Sequence, residues 1–167
     1  MGMIGEYARL TPAEFERAVR DPDWAHTFVH ELWDAELEET PPTDEARCHD
    51  TDKAWHALDF LLQRLGFPVD IVFGEEEMPG AQEWSCGPPR CLTPEQVRAA
   101  ADALTATPPG RLVEGVTPAD LARADIYPTL VWERGEPLDY VTAHYEHLVT
   151  FFQAAARDGH AVVVWIN

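Results

Sequence analysis

The chain has 167 residues, 46% of them apolar, with six Trp and a formal net charge of −18. This composition excludes intrinsic disorder and fits one globular domain, spanning 1–167, with a sizeable core. The charge repels nucleic acid and anionic membrane, so neither is an expected partner; it suits a basic protein, beside its plainer effect on solubility.

No apolar run approaches the roughly 18 residues that cross a bilayer. The opening stretch "MGMIGEYARL" lacks the basic and long apolar regions of a secretory signal, so a soluble cytoplasmic protein is expected. The three cysteines, Cys48, Cys86 and Cys91, are an odd number without an export signal and read as reduced thiols.

In chain order, a strand is predicted at 3–9 and helices at 12–20 and 22–34. Three helix starts share one local pattern: "LTPAEF" from Leu10, "LTPEQV" from Leu92 and "VTPADL" from Val116. Each offers Thr as N-cap and Pro at the first helical position. Glu14 and Gln96 stand where they close capping boxes, and the apolar residue before each cap faces another five positions on. Residues 31–52 carry nine acidic residues and one Arg, and read as a solvated acidic surface with a loop. A helix follows at 52–65. A strand is predicted at 69–73 from "VDIVF", and a further short strand is expected within 83–92. The stretch 74–91, "GEEEMPGAQEWSCGPPRC", reads as a long loop of the kind that carries function. Helices are predicted at 94–105, 118–124 and 138–158, and a last strand at 161–166. "AVVVWI" is apolar throughout, which suits a strand covered on both faces. Helices before, between and after the strands predict an α/β fold, with one small mixed sheet in a three-layer α/β/α sandwich.

The helix at 52–65 holds the most suggestive constellation. Ala54, Trp55, Leu58, Leu61, Leu62 and Leu65 form one apolar stripe, with Asp52, His56, Asp59 and Gln63 on the far side. His56 stands three or four residues from two carboxylates, the arrangement of an imidazole base held by an acid. The plainer reading is a hydrated helix face. Phe60 points away from the main stripe, which suggests that part of the polar face lines a cleft. Lys53 is the only Lys among twelve basic residues. "CGPPRC" sets Arg90 and two thiols beside a helix start, where N–H groups attract anions. His144 and His147, three apart, read as boundary residues of the last helix.

No P-loop, Rossmann glycine pattern, zincin motif or GxSxG elbow is present, and Ser85 is the only Ser. The cysteine spacing matches no zinc site. No cofactor and no metal are expected.

"MGMIGEY", "DKAWHALDFLL", "GPPRCLTPEQV", "IYP" at 126–128 and "VVVW" at 162–165 together resemble the YfbM-like family of small bacterial proteins, nearly end to end. The resemblance implies a three-layer α/β sandwich. It implies no activity, because that family is a domain of unknown function. The family pattern often carries His where this chain has Asp59, which weighs against His56 as a general base.

Two functional readings follow. One is a non-enzymatic acidic interaction protein, of inhibitor or immunity type, that binds a basic protein. The alternative is a small enzyme or ligand-binding protein. Its cleft would lie between the start of the 52–65 helix and the 86–94 loop, lined by Asp52, Lys53, His56 and Arg90.

Overall fold

The computed structural model describes residues 2–167. Helices and strands run β1 (Gly5–Leu10), α1 (Pro12–Arg20), α2 (Pro22–Glu39), β2 (Cys48–Asp50), a 3-10 turn (Asp52–Ala54) and α3 (Trp55–Arg64), then β3 (Glu76–Glu77) and β4 (Arg90–Leu92). There follow α4 (Pro94–Thr105), α5 (Pro109–Leu112), α6 (Pro118–Arg123), α7 (Thr129–Glu133), α8 (Asp139–Arg157) and β5 (Ala161–Ile166).

The Thr-Pro starts form as their sequences dictate. Thr11 and Thr93 accept from the backbone N–H of Glu14 and Gln96, whose side chains accept in return from the cap N–H. Thr117 closes a third box with Asp120, an acid short enough to be missed by a Glu/Gln pattern. Because these contacts lie within four residues, they form whatever the rest of the chain does.

The strands make one sheet in the order β2-β1-β5-β4-β3. Every pairing is antiparallel, so the expected mixed sheet is corrected. A parallel pair needs a single crossover back to the same end. Here two helices separate β1 from β2 and five separate β4 from β5, while β3 and β4 pair as a hairpin.

Alternate residues of the sheet enter two separate apolar clusters. Tyr7, Leu92, Val162 and Val164 join Leu58, Val97, Leu148 and Phe152 of α3, α4 and α8. Ala8, Leu10, Cys91, Val163 and Trp165 join Ala18, Ala25 and Val29 of α1 and α2. The all-apolar sequence of β5 follows from this: a strand with no polar face must have both faces covered.

"VDIVF" is not a strand. Asp70 Oδ1 accepts from the N–H groups of Val72 and Phe73, and the Asp70 carbonyl from Gly74, which folds the segment into a turn. An Asp side chain that bonds the following backbone competes with a sheet ladder. Val69, Ile71 and Val72 still reach the core, now from a turn. The predicted long loop at 74–91 contains β3 and returns as the β3–β4 hairpin. Its hinge is Gly74, at φ +87, where an added Cβ would lie 2.8 Å from Arg90 Cβ. Among the described residues, no helix is long and apolar enough to cross a membrane. All three cysteines are unpaired; Cys48 and Cys91 are buried and Cys86 is exposed.

Candidate functional site

Of the four residues singled out for a cleft, the Asp52 carboxylate and the Lys53 backbone N–H meet at one point. Tyr140 on α8 donates its hydroxyl to Asp52 Oδ2 at 2.6 Å, and Lys53 N–H donates to that hydroxyl at 3.1 Å. Asp52 takes a left-handed φ of 45°, uncommon for a residue with a Cβ, and its N–H is held by Asp50 Oδ1 at 2.9 Å. His56 looks elsewhere. Its Nδ1 accepts from the Tyr127 N–H at 2.8 Å, so the ring proton resides on Nε2. Asp59 is engaged by the Gln63 amide. Arg90 is held by the turn before β3: Nε donates to the Gly74 carbonyl, one Nη to the Glu75 carbonyl, and the other to Glu77.

A different concave surface is more developed. It is a groove of about 340 Å³ along the open edge of the sheet, walled by the end of α2, strand β2 and α8. From α2 come Trp33, Glu36 and Leu37; from β2, Cys48, His49 and Asp50; from α8, His144 and His147.

The local geometry has clear causes. Glu36 reaches from α2 to the edge strand, where its two oxygens accept from the N–H groups of Arg47 and Cys48 at 2.6 and 2.9 Å. This both seats α2 and blocks edge donors that would template another strand. Helix α2 ends at Thr40 in the left-handed conformation, φ 46°, which turns the chain away and opens the groove. His49 pairs with Tyr7 across β1 and stacks on Phe151 of α8, ring centroids 5.5 Å apart. The core face of α8 is taken by Val141, Tyr145, Leu148 and Phe152, so His144 and His147 fall toward His49.

The electrostatics follow from burial. Burial, then His147 and His144, pushes His49 down to about 4. His144 is lowered by burial, against an opposing pull from Asp50 and Asp52. Burial, followed by Glu36, pushes the Cys48 thiol far up, so this wall residue is inert as a nucleophile. Trp33 Nε1 and His49 Nε2 are buried with no hydrogen-bond partner among the described residues. Such atoms are uncommon in folded proteins. Against them stands Leu37, 67% exposed in the groove wall.

The His49 shift gives a pH prediction. Its folded value lies below its ordinary 6.5, so the unfolded chain takes up the proton first as pH falls. Stability is full above pH 6.5, declines below it, and the loss is complete near pH 4, at about 3 kcal/mol. Urea unfolding between pH 7 and 4 should show this slope in wild type and a flatter one in His49→Phe. The difference between the two slopes is the share of His49. Equal slopes would mean that His49 is charged in the folded state.

Sequence reading missed this groove. The His144–His147 spacing was visible, but its relation to His49 depends on strand pairing, and residues 31–52 read as solvated surface.

The relatives fit the architecture. The crystal structure of YfbM from Escherichia coli, a protein of unknown function, is similar over 98% of this chain and 99% of its own, with a TM-score of 0.63 and 18% identity. At that identity the likeness is one of fold. No curated protein matches the chain. The model of a domain of unknown function, DUF1877, matches residues 1–165, and the chain belongs to that family.

Proposed function

We propose that this protein is a non-enzymatic interaction protein of the cytoplasm, of inhibitor or immunity type, which binds a basic partner protein through the β2-edge groove. The observation that carries this reading is the groove's make-up: an exposed Leu37 beside Trp33, with Glu36 and Asp50 in the walls of a chain of net charge −18. An apolar anchor point inside an acidic surface suits a partner segment that is cationic with an apolar side chain at its centre. The inert Cys48 thiol fits a binding surface better than a reaction centre. Reduced buried thiols suit the cytoplasm. The three-layer α/β/α arrangement belongs to the same reading. It is supported by the two clusters on either side of β5, and it leaves the sheet edge between helix layers as the open concavity.

The alternative is an enzyme or ligand-binding protein with a cleft lined by Asp52, Lys53, His56 and Arg90. The hydrogen bond from Tyr140 to Asp52, which draws α8 to the start of the helix, favours it. The engagement of all three Arg90 nitrogens by the 74–77 turn weighs against it.

The test is a pull-down from native lysate, identification of the retained protein, and titration of that purified partner at rising salt. Wild type is compared with Leu37→Arg and with Leu130→Arg, a change at an exposed position on α7. The expected partner is basic, binds more weakly as salt rises, and loses at least about tenfold in affinity with Leu37→Arg alone. An acidic partner, affinity that Leu37→Arg leaves unchanged, or no retained protein overturns the proposal.

A further inference from the structure

We propose that His26 and His30 form a site for a divalent transition-metal ion of the zinc, nickel or copper class on the solvent side of α2, apart from the proposed partner groove. The two residues stand four apart in "AHTFVH", so they share one helix face, the spacing at which paired histidines on a helix ligate zinc. Both are exposed, and their ring centroids lie 4.1 Å apart. Metal–nitrogen bonds of about 2.1 Å set the centroids of two rings on one ion about 5 Å apart, so these exposed rings come within span by a small outward swing.

The second observation is the tautomer. His30 Nδ1 lies 2.7 Å from the His26 carbonyl oxygen. A carbonyl can only accept, so Nδ1 carries a proton, and Nε2 is the nitrogen left to face a metal ion. A ring N–H fixed on a backbone carbonyl is the usual support of a metal-binding imidazole, because it sets both tautomer and orientation.

The surroundings favour a cation. A cavity of about 270 Å³ beside His26 is lined by Asp23, Thr27, Gln82, Glu83 and Trp84. Among the described residues, no group of three or more His, Cys, Asp or Glu side chains is arranged to hold an ion. The site therefore supplies two protein ligands and leaves the remaining positions to water, which makes the ion exchangeable rather than structural. Imidazole donors select zinc, copper and nickel over magnesium and calcium.

Trp84 provides a local reporter. Its ring meets His26 edge-on at 5.3 Å and His30 at 6.0 Å. The experiment titrates the whole protein with Zn2+ by calorimetry, and with Ni2+ by tryptophan fluorescence. Wild type is compared with His26→Ala, His30→Ala, Trp84→Phe and the double variant His144→Ala with His147→Ala. Because His26 and His30 are exposed, the single variants should keep the wild-type melting temperature. The expected result is one Zn2+ per chain, with at least tenfold weaker binding in either single variant and unchanged binding in the double variant. Ni2+ should quench emission in wild type and quench it much less in Trp84→Phe. Binding that survives His26→Ala, binding lost in the double variant, Mg2+ competing as well as Zn2+, or no binding at all overturns the proposal.

Discussion

Replacing Trp55 by Ala is expected to destabilise the protein by about 3–5 kcal/mol, the usual cost of truncating a buried aromatic residue to a methyl group. Trp55 is 7% exposed and opens α3 beneath the amino-terminal segment. Its ring stacks on Tyr127 with centroids 5.7 Å apart and meets Phe73 edge-on at 5.9 Å. Its Nε1 donates to the Met3 carbonyl at 3.0 Å, which ties the chain before β1 to α3. Alanine removes both the packing and the bond. Phenylalanine keeps most of the packing, so Trp55→Phe should cost only about 1–2 kcal/mol, the share of the hydrogen bond and the volume difference. Urea unfolding with unchanged m-values measures both variants. A Trp55→Ala loss below about 1 kcal/mol would mean that the ring is accessible in solution.

Arg9 carries an effect of similar size by a different mechanism. It lies on β1 and is 3% exposed, yet each of its three guanidinium nitrogens has a partner. Nε donates to the Ala46 carbonyl at 2.9 Å, one Nη to the Glu45 carbonyl at 3.2 Å, and the other to Asp158 Oδ2 at 2.6 Å. That last nitrogen also lies 3.4 Å from the Ala154 carbonyl at the end of α8 and 3.2 Å from His160 Nδ1. Arg9 therefore joins the segment before β2, the end of α8 and the entry to β5. Bonds from Arg157 and Arg9 hold the Asp158 carboxyl well below the usual carboxylate range.

Arg9→Ala leaves buried carbonyls without donors, at about 1–3 kcal/mol each, and should cost about 3–5 kcal/mol in all. Asp158 is 38% exposed and can return to water, so Asp158→Asn should cost no more than about 1 kcal/mol. Lysine supplies charge without the planar fork, so Arg9→Lys should fall closer to alanine than to wild type. Equal losses for Arg9→Ala and Asp158→Asn would place the energy in the ion pair instead of in the carbonyl bonds.

Much of the fold was legible in the sequence where its causes are local. The Thr-Pro caps of α1, α4 and α6 are written within four residues, and the apolar stripe of α3 places Trp55, Leu58, Leu61 and Leu62 in the core as it predicts. The apolar run of β5 announced burial on both faces. The short elements were not legible. β2 has three residues and β3 two, and each exists only because a distant strand pairs with it. "VDIVF" has the composition of a strand, but the Asp70 carboxylate closes a turn that composition cannot register.

The candidate site divides in the same way. The sequence by itself determined that Asp52, Lys53 and His56 cluster around the start of α3, that His144 and His147 lie near each other on α8, and that the chain is strongly acidic. Only the tertiary structure decided that Arg90 is engaged by residues 74–77, that Glu36 closes the edge of β2, and that His49 meets α8. The physical reason is range. Capping, helical spacing and side-chain turns act over a few residues and are set by the local sequence. Strand register and groove walls join residues as far apart in the chain as Gly5 and Ile166, and the packing of the whole chain selects them.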